Sequence, residues 1–162
     1  MDPDTAFRRE VRPEDREAVE RLVRTTGYFS REECAIAVEL VDERLTKGNT
    51  SGYSFLFTEA GNELIGYSCF GPVPGTAHSY DLYWIAVAPH AQGRGLGRKL
   101  LDESERLMAG QGARRVYAET SSRSQYKPTH AFYLACGYVQ EAFLSDFYAP
   151  DDGKIIFVKI LK

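Results

Sequence analysis

The 162-residue sequence predicts one mixed α/β domain, a central sheet with helices packed on both faces. Three observations carry that prediction. Apolar runs of strand length recur between stretches of helical periodicity, in the order β-α-α-β-β-β-α-β-α-β-β. A glycine-rich turn, Gln92-Gly93-Arg94-Gly95-Leu96-Gly97, directly follows the apolar run Tyr80 to Val87 and opens a helix through Arg98-Lys99-Leu100-Leu101. Hydrophobic residues make up 43% of the chain, enough for a domain of this size to bury a core.

Each element has a local reason. Ala6 to Val11 is predicted as a short strand. Pro13 opens a helix with Glu14 and Asp15 in its first turn, where the helix dipole favours acids, and Ala18, Val19, Leu22 and Val23 form its apolar stripe. Gly27 ends it. Ser30 and Glu33 have capping-box spacing and begin a second helix, with Ile36, Leu40, Val41 and Leu45 as its apolar positions and Lys47-Gly48 as its close. Tyr53 to Ala60 and Leu64 to Phe70 read as antiparallel strands joined by a tight turn at Gly61-Asn62. Gly71-Pro72-Val73-Pro74-Gly75 leads into the strand before the glycine turn, and Arg115 to Thr120 forms the strand after its helix. A further helix ends near Cys136. Val139 to Leu144 and Ile155 to Ile160 are the last two strands, joined by a loop over Asp146 to Gly153.

Composition narrows the function. A net charge of −3 advertises no general nucleic-acid or membrane surface. No apolar run approaches the roughly 20 residues of a membrane span, and Met1-Asp2-Pro3-Asp4 lacks the basic-then-apolar order of a signal peptide, so a cytoplasmic protein is expected. Cys34, Cys69 and Cys136 are odd in number and widely spaced, with no histidine neighbours, which argues against a disulfide framework or a metal site.

The glycine turn is the chemical signal. It leaves backbone N–H groups unpaired at a helix N-terminus, where the dipole favours negative charge and glycine lets a phosphate approach the main chain, so a phosphorylated cofactor is expected. Two familiar loops do not fit. A dinucleotide fingerprint would place glycine where Arg98 or Leu100 stands, and a P-loop would need Gly-Lys-Ser/Thr where Gly97 is followed by Arg98-Lys99-Leu100. The pattern Q/R-x-x-G-x-G/A after a strand ending in Ala86-Val87 resembles the acetyl-CoA pyrophosphate loop of the GCN5-related N-acetyltransferases, the GNAT family. Ala131-Phe132-Tyr133-Leu134-Ala135-Cys136-Gly137-Tyr138 resembles that family's second signature, an FY pair followed after three residues by G-F/Y. The similarity runs from about Tyr53 to Lys162.

The resemblance implies a single GNAT domain over residues 1–162, with a mostly antiparallel sheet of six to seven strands, acetyl-CoA as co-substrate and no metal. It implies an acyltransferase moving acetyl to a primary amine by direct attack in a ternary complex. It places the cofactor on Ile85, Ala86, Val87, Gln92, Gly93, Arg94, Gly95, Leu96, Gly97 and Arg98, with the main chain at Ile85 and Val87 taking the thioester carbonyl and the pantetheine amides. Lys99 flanks the same turn. Arg123 and Lys127 are expected on the 3′-phosphate side, although Pro128-Thr129-His130 stands where many relatives carry an asparagine.

Acyl transfer from a thioester to an amine needs a proton acceptor, donors to the carbonyl oxygen and an acid for the leaving thiolate. The resemblance assigns the acid to Tyr133. Two residues compete as base. Asp81 stands in an otherwise apolar strand and, on a period of two, shares a face with Tyr83, Ile85 and Val87; it also occupies the place where histone-type members carry a glutamate. Glu119 lies on the neighbouring strand that parts from it in this fold. Tyr28, Phe29, Tyr83, Asp146 and Tyr148, with Asp81 and Glu119, are the expected acceptor wall, suited to a cationic amine with an apolar body. A small molecule, amino acid or peptide fits this wall better than nucleic acid. Two copies could pair through exposed aromatics, a homodimer being common in the family. The rival reading is a CoA-binding sensor or interaction module that does not turn over.

Overall fold

The computed structural model describes residues 5–162; the Met1-Asp2-Pro3-Asp4 run lies outside them. Its helices are α1 (Asp15–Thr26), α2 (Arg31–Lys47), α3 (Leu96–Gly110) and α4 (Lys127–Ala135). Its strands are β1 (Ser54–Ala60), β2 (Glu63–Pro72), β3 (Ser79–Val87), β4 (Arg115–Ser121), β5 (Val139–Ala149) and β6 (Asp152–Ile160). They form one six-stranded sheet in the order β1-β2-β3-β4-β6-β5. The β3–β4 pair is parallel and the others are antiparallel.

Alternation along the strands divides the core into two layers. On one face α1 and α2 set Val19, Leu22, Val23, Ala37 and Val41 on Phe55, Phe57, Tyr67 and Cys69. On the other, α3 and α4 set Leu100, Leu101, Met108 and Tyr133 on Leu56, Phe70, Leu82 and Phe157. Each fully buried side chain of this size contributes about 1.5–3 kcal/mol. Local signals hold at most helix ends. Gly27 caps α1 in the left-handed region at φ 73°, and the Ser30–Glu33 capping box is formed in both directions.

Four expectations are corrected. The predicted strand Ala6 to Val11 is a single bridge, Arg8 to Phe57. The chain leaves the sheet there because the Arg8 guanidinium turns back onto Asp15 and Glu59, both at 2.7 Å, while Arg12 N–H donates to Asp15. The same contacts begin α1 at Asp15, two residues beyond Pro13. In α2 the expected positions Ile36 and Leu45 are exposed, and Cys34, Ala37, Val38 and Val41 are buried instead. Those four keep helical spacing, but as small side chains that let α2 approach the core closely. The expected loop over 146–153 is mostly strand: β5 runs on to Ala149 and β6 starts at Asp152. Asp146 and Asp151 adopt φ of 54° and 62°, and Asp151 N–H donates to Asp146 Oδ1 at 2.8 Å, so an aspartate-stabilised bulge replaces the loop.

Candidate active site

The site begins where two parallel strands part. β3 and β4 pair only from Ser79↔Arg115 to Leu82↔Ala118, after which both strands continue without pairing to each other. That leaves the main chain of β3 from Tyr83 to Val87 with a free edge facing Glu119, Thr120 and Ser121. A bulge opposite Cys69 and Phe70 makes Tyr83 an extra residue, since Cys69 pairs with Trp84 and Phe70 with Leu82. The bulge overturns the expected alternation: Ile85 packs with the α3–α4 layer, whereas Tyr83 joins the α1–α2 layer.

Beyond β3 the glycine turn takes the expected form. Gly93 and Gly95 stand at φ 77° and 79°, a region where side chains are strained, and Gly95 caps α3. Among the described residues no hydrogen bond occupies any amide from Gly93 to Arg98. The flanking amides are used, Gln92 N–H on Pro89 and Lys99 N–H on Gly95. Gln92 also donates through its side chain to the Val87 carbonyl at 2.9 Å, tying the turn to the free strand edge. A Cβ at Gly97 would meet Phe132 and Val87 at 3.4–3.7 Å, ordinary contact distances, so the α3 start packs directly on α4 and the end of β3 there.

Both features open into one cavity of about 680 Å³. One end is walled by Ile85, Ala86, Val87, Gln92, Gly93, Gly95, Leu96, Gly97 and Arg98 with Phe132 and Tyr133 of α4; Arg94 lies outside the lining. Tyr133 is 5% exposed and packs on Tyr138 and Phe157 with centroids 5.3 and 5.5 Å away. Its hydroxyl makes no hydrogen bond to any described residue, and burial pushes its pKa up, which keeps it protonated at neutral pH. The residues present fit a phosphorylated, amide-bearing cofactor: a run of free amides at a helix start continues into a free strand edge.

The other end is aromatic and acidic. Tyr28, Phe29, Tyr83, Glu119 and Tyr148 line it, together with Glu33, Trp84, Tyr126 and Asp152. Phe29 meets Trp84 edge-on at 4.6 Å, and Tyr126 donates its hydroxyl to the Tyr28 carbonyl at 3.0 Å. Sequence reasoning passed over three of these residues. Glu33 read as a helix cap, Trp84 lay unremarked within the apolar run Tyr80 to Val87 and follows the bulge that resets its face, and Tyr126 has no periodic signal in its short 3-10 turn.

Two expected wall residues lie elsewhere. Asp146 is used in the β5 bulge and does not line the cavity. Asp81 does not line it either. It is half-buried, and burial followed by the charge of Glu119 raises its pKa above the usual carboxylate value, with Lys154 acting the other way. Glu119 does line the cavity, its Oε2 held 2.6 Å from Lys154 Nζ. Arg123, expected near a phosphate, is held 3.3 Å from Asp152 over the Tyr126 ring. His130 Nε2 donates to the Ser121 carbonyl at 2.9 Å, a structural contact at the parted end of β4. No cluster of His, Cys, Asp or Glu among the described residues could hold a metal ion, and no helix of the described residues is long and apolar enough to cross a membrane.

A parted parallel strand pair beside a glycine turn at a helix start defines an acyl-CoA-dependent transferase. The sequence profile of the acetyltransferase (GNAT) family matches residues 16–138, and the chain belongs to that family. A solved structure assigned to the GNAT acetyltransferases, from Desulfovibrio desulfuricans, is 47% identical over 96% of this chain and 98% of its own, with a TM-score of 0.94. More distant structures share the fold. PaiA N-acetyltransferase from Thermoplasma acidophilum, in complex with coenzyme A, is 20% identical over 96% of this chain and 99% of its own, TM-score 0.72. The ribosomal-protein-S18-alanine N-acetyltransferase of Escherichia coli is 17% identical over 98% and 94%, TM-score 0.76. The chain is thus an N-acetyltransferase that uses acetyl-CoA.

Proposed function

We propose that the chain acetylates the primary amine of a cationic small molecule, amino acid or peptide with an apolar body, by direct attack in a ternary complex. One observation carries this reading: the free β3 edge and the unpartnered Tyr133 hydroxyl share a single cavity with an aromatic, carboxylate-bearing wall. Tyr28, Phe29, Trp84, Tyr126 and Tyr148 offer ring faces to a cation, and Glu33, Glu119 and Asp152 offer charge. The three thiols are buried and free, which fits a reducing, cytoplasmic setting.

Acetyl-CoA supplies the activated acetyl group as a thioester. The amides of Gly93 to Arg98 would hold its pyrophosphate and the β3 edge at Ile85 and Val87 would orient its pantetheine arm, with the thioester carbonyl on the same main chain. Glu119 faces the acceptor, anchors its ammonium and, directly or through one water, takes the proton whose loss frees the attacking nitrogen; it passes that proton to solvent, and the second proton shed as the amide forms leaves by the same route. Asp81 raises the local negative charge beside Glu119. As the nitrogen–carbon bond forms and the carbon–sulfur bond breaks, Tyr133 gives its proton to the sulfur and is reprotonated by solvent.

The test is mass spectrometry of an amine library and a cell extract incubated with the protein and isotope-labelled acetyl-CoA. Labelled cationic amines, with turnover reduced at least tenfold in Glu119→Gln, are the expected result. Label confined to acidic or neutral acceptors would overturn the acceptor assignment. Calorimetric acetyl-CoA binding without any labelled product would favour the sensor module.

A further inference from the structure

Strand β4 sends consecutive side chains to opposite faces of the sheet. Glu119 goes to the acceptor end of the cavity, while Val116 and Ala118 are buried in the layer of α3 and α4. Thr120 continues that buried alternation where β4 has parted from β3, and it lines the same cavity. It is 7% exposed, and its hydroxyl has no hydrogen-bond partner among the described residues. A buried hydroxyl without a partner costs stability, and valine has the same shape without the polar atom. Packing therefore does not account for a threonine here.

The placement of the pantetheine arm along β3, on which this inference rests, provides a partner. Each amide of the arm is planar and trans, so its N–H and its carbonyl point in opposite directions. An amide that gives one of these groups to the main chain of Ile85 or Val87 turns the other toward β4. The residues of β4 that wall the cavity are Glu119, Thr120 and Ser121. Glu119 is held by Lys154 at 2.6 Å, and the Ser121 hydroxyl accepts the Arg123 N–H at 3.1 Å and donates to Asp152. Of the three, Thr120 alone has an unengaged side chain. A hydroxyl both donates and accepts, so it can meet either half of an amide. Rotation about Cα–Cβ moves it among staggered positions without disturbing the strand.

We propose that Thr120 is a cofactor-binding residue whose hydroxyl pairs with an amide of the pantetheine arm on the side away from β3, so that the arm is held from both edges of the parted strands. The same hydroxyl then weakens the free protein and strengthens the complex. A residue that served only the fold would move both in one direction.

Calorimetry with acetyl-CoA and with adenosine 3′,5′-bisphosphate, which carries no pantetheine arm, tests this on the wild type, Thr120→Val and Thr120→Ser, alongside thermal melts of the free proteins. T120V is expected to bind acetyl-CoA about fivefold more weakly, the loss of one hydrogen bond, while its affinity for the bisphosphate moves less than about twofold. Without ligand it should melt at or above the wild-type temperature. T120S keeps the hydroxyl and should recover acetyl-CoA affinity to within about twofold of wild type. Unchanged acetyl-CoA affinity in T120V, a loss that T120S shares in full, or an equal loss for the bisphosphate with a lowered melting temperature would each overturn the role of Thr120. A wild type that binds acetyl-CoA no tighter than the bisphosphate would sink the placement of the arm itself, and this role with it.

Discussion

The side-chain amide of Gln92 donates to the main-chain carbonyl of Val87 across 2.9 Å, so the glycine turn is pinned to the strand edge that precedes it. The contact fixes where the amides from Gly93 onward point relative to Ile85 and Val87. A cofactor that uses both surfaces needs them in one register.

Gln92→Ala is therefore expected to act on binding rather than on chemistry. A single neutral hydrogen bond contributes about 1 kcal/mol, which predicts a rise of about fivefold in the KM for acetyl-CoA with kcat little changed. Steady-state kinetics with the cofactor varied checks this. A fall in kcat at constant KM would show that the turn is not held by this contact.

Tyr133→Phe separates acid catalysis from packing. The ring is held by Phe132, Tyr138 and Phe157, and phenylalanine keeps that packing. Only the hydroxyl is lost, and a positioned acid is worth about 100-fold or more, so kcat should fall by that factor while calorimetric acetyl-CoA affinity moves less than about twofold. Unchanged turnover would remove Tyr133 as the proton source.

Much of this site could be read in the sequence because its signals are local. The glycine turn and the capping box at Ser30 and Glu33 act within a few residues, and both stand as read. What failed depends on partners far along the chain. The Tyr83 bulge answers to β2, and it turned Ile85 away from the face of Asp81. Arg8 left the sheet for Asp15 and Glu59, the latter 51 residues distant. In α2 the stripe of Cys34, Ala37, Val38 and Val41 was legible in spacing but was outbid by the larger Ile36 and Leu45, because size was read as burial.

Lys159 closes a buried charge network behind Tyr133. Its ammonium lies 2.6 Å from Glu105 Oε1 and donates to the Cys136 carbonyl at 2.8 Å, while Tyr138 donates to Glu105 Oε2 at 3.1 Å. Glu105 is only 7% exposed. Lys159→Met would leave that carboxylate without its cation and release the end of α4, at a cost of about 3 kcal/mol. At 2–4 °C per kcal/mol for a domain of this size, Tm should drop by about 6–12 °C. Thermal melts check this, and adding Glu105→Gln should recover most of the loss. A Tm unmoved by K159M would mean that the network does not hold the helix.

Asp81 gives a pH-dependent prediction whose sign follows from its surroundings. Burial, then the charge of Glu119, raises its pKa above the usual 3.8 in the folded chain. The folded state thus holds the proton more tightly than the unfolded state, so ionised Asp81 costs stability at neutral pH. The cost is fully present above the folded pKa and disappears as pH falls through it toward the unfolded value. Asp81→Asn removes the charge at every pH. It should raise Tm at pH 7, and the gain over wild type should shrink as pH falls through the folded pKa toward the unfolded value. Melting curves of the two proteins from pH 4 to 8 give the comparison directly. A gain that persists unchanged at pH 4 would trace the effect to packing, and a loss at pH 7 would show that Lys154 outweighs burial and Glu119 together, making Asp81 a stabilising partner in the charge cluster.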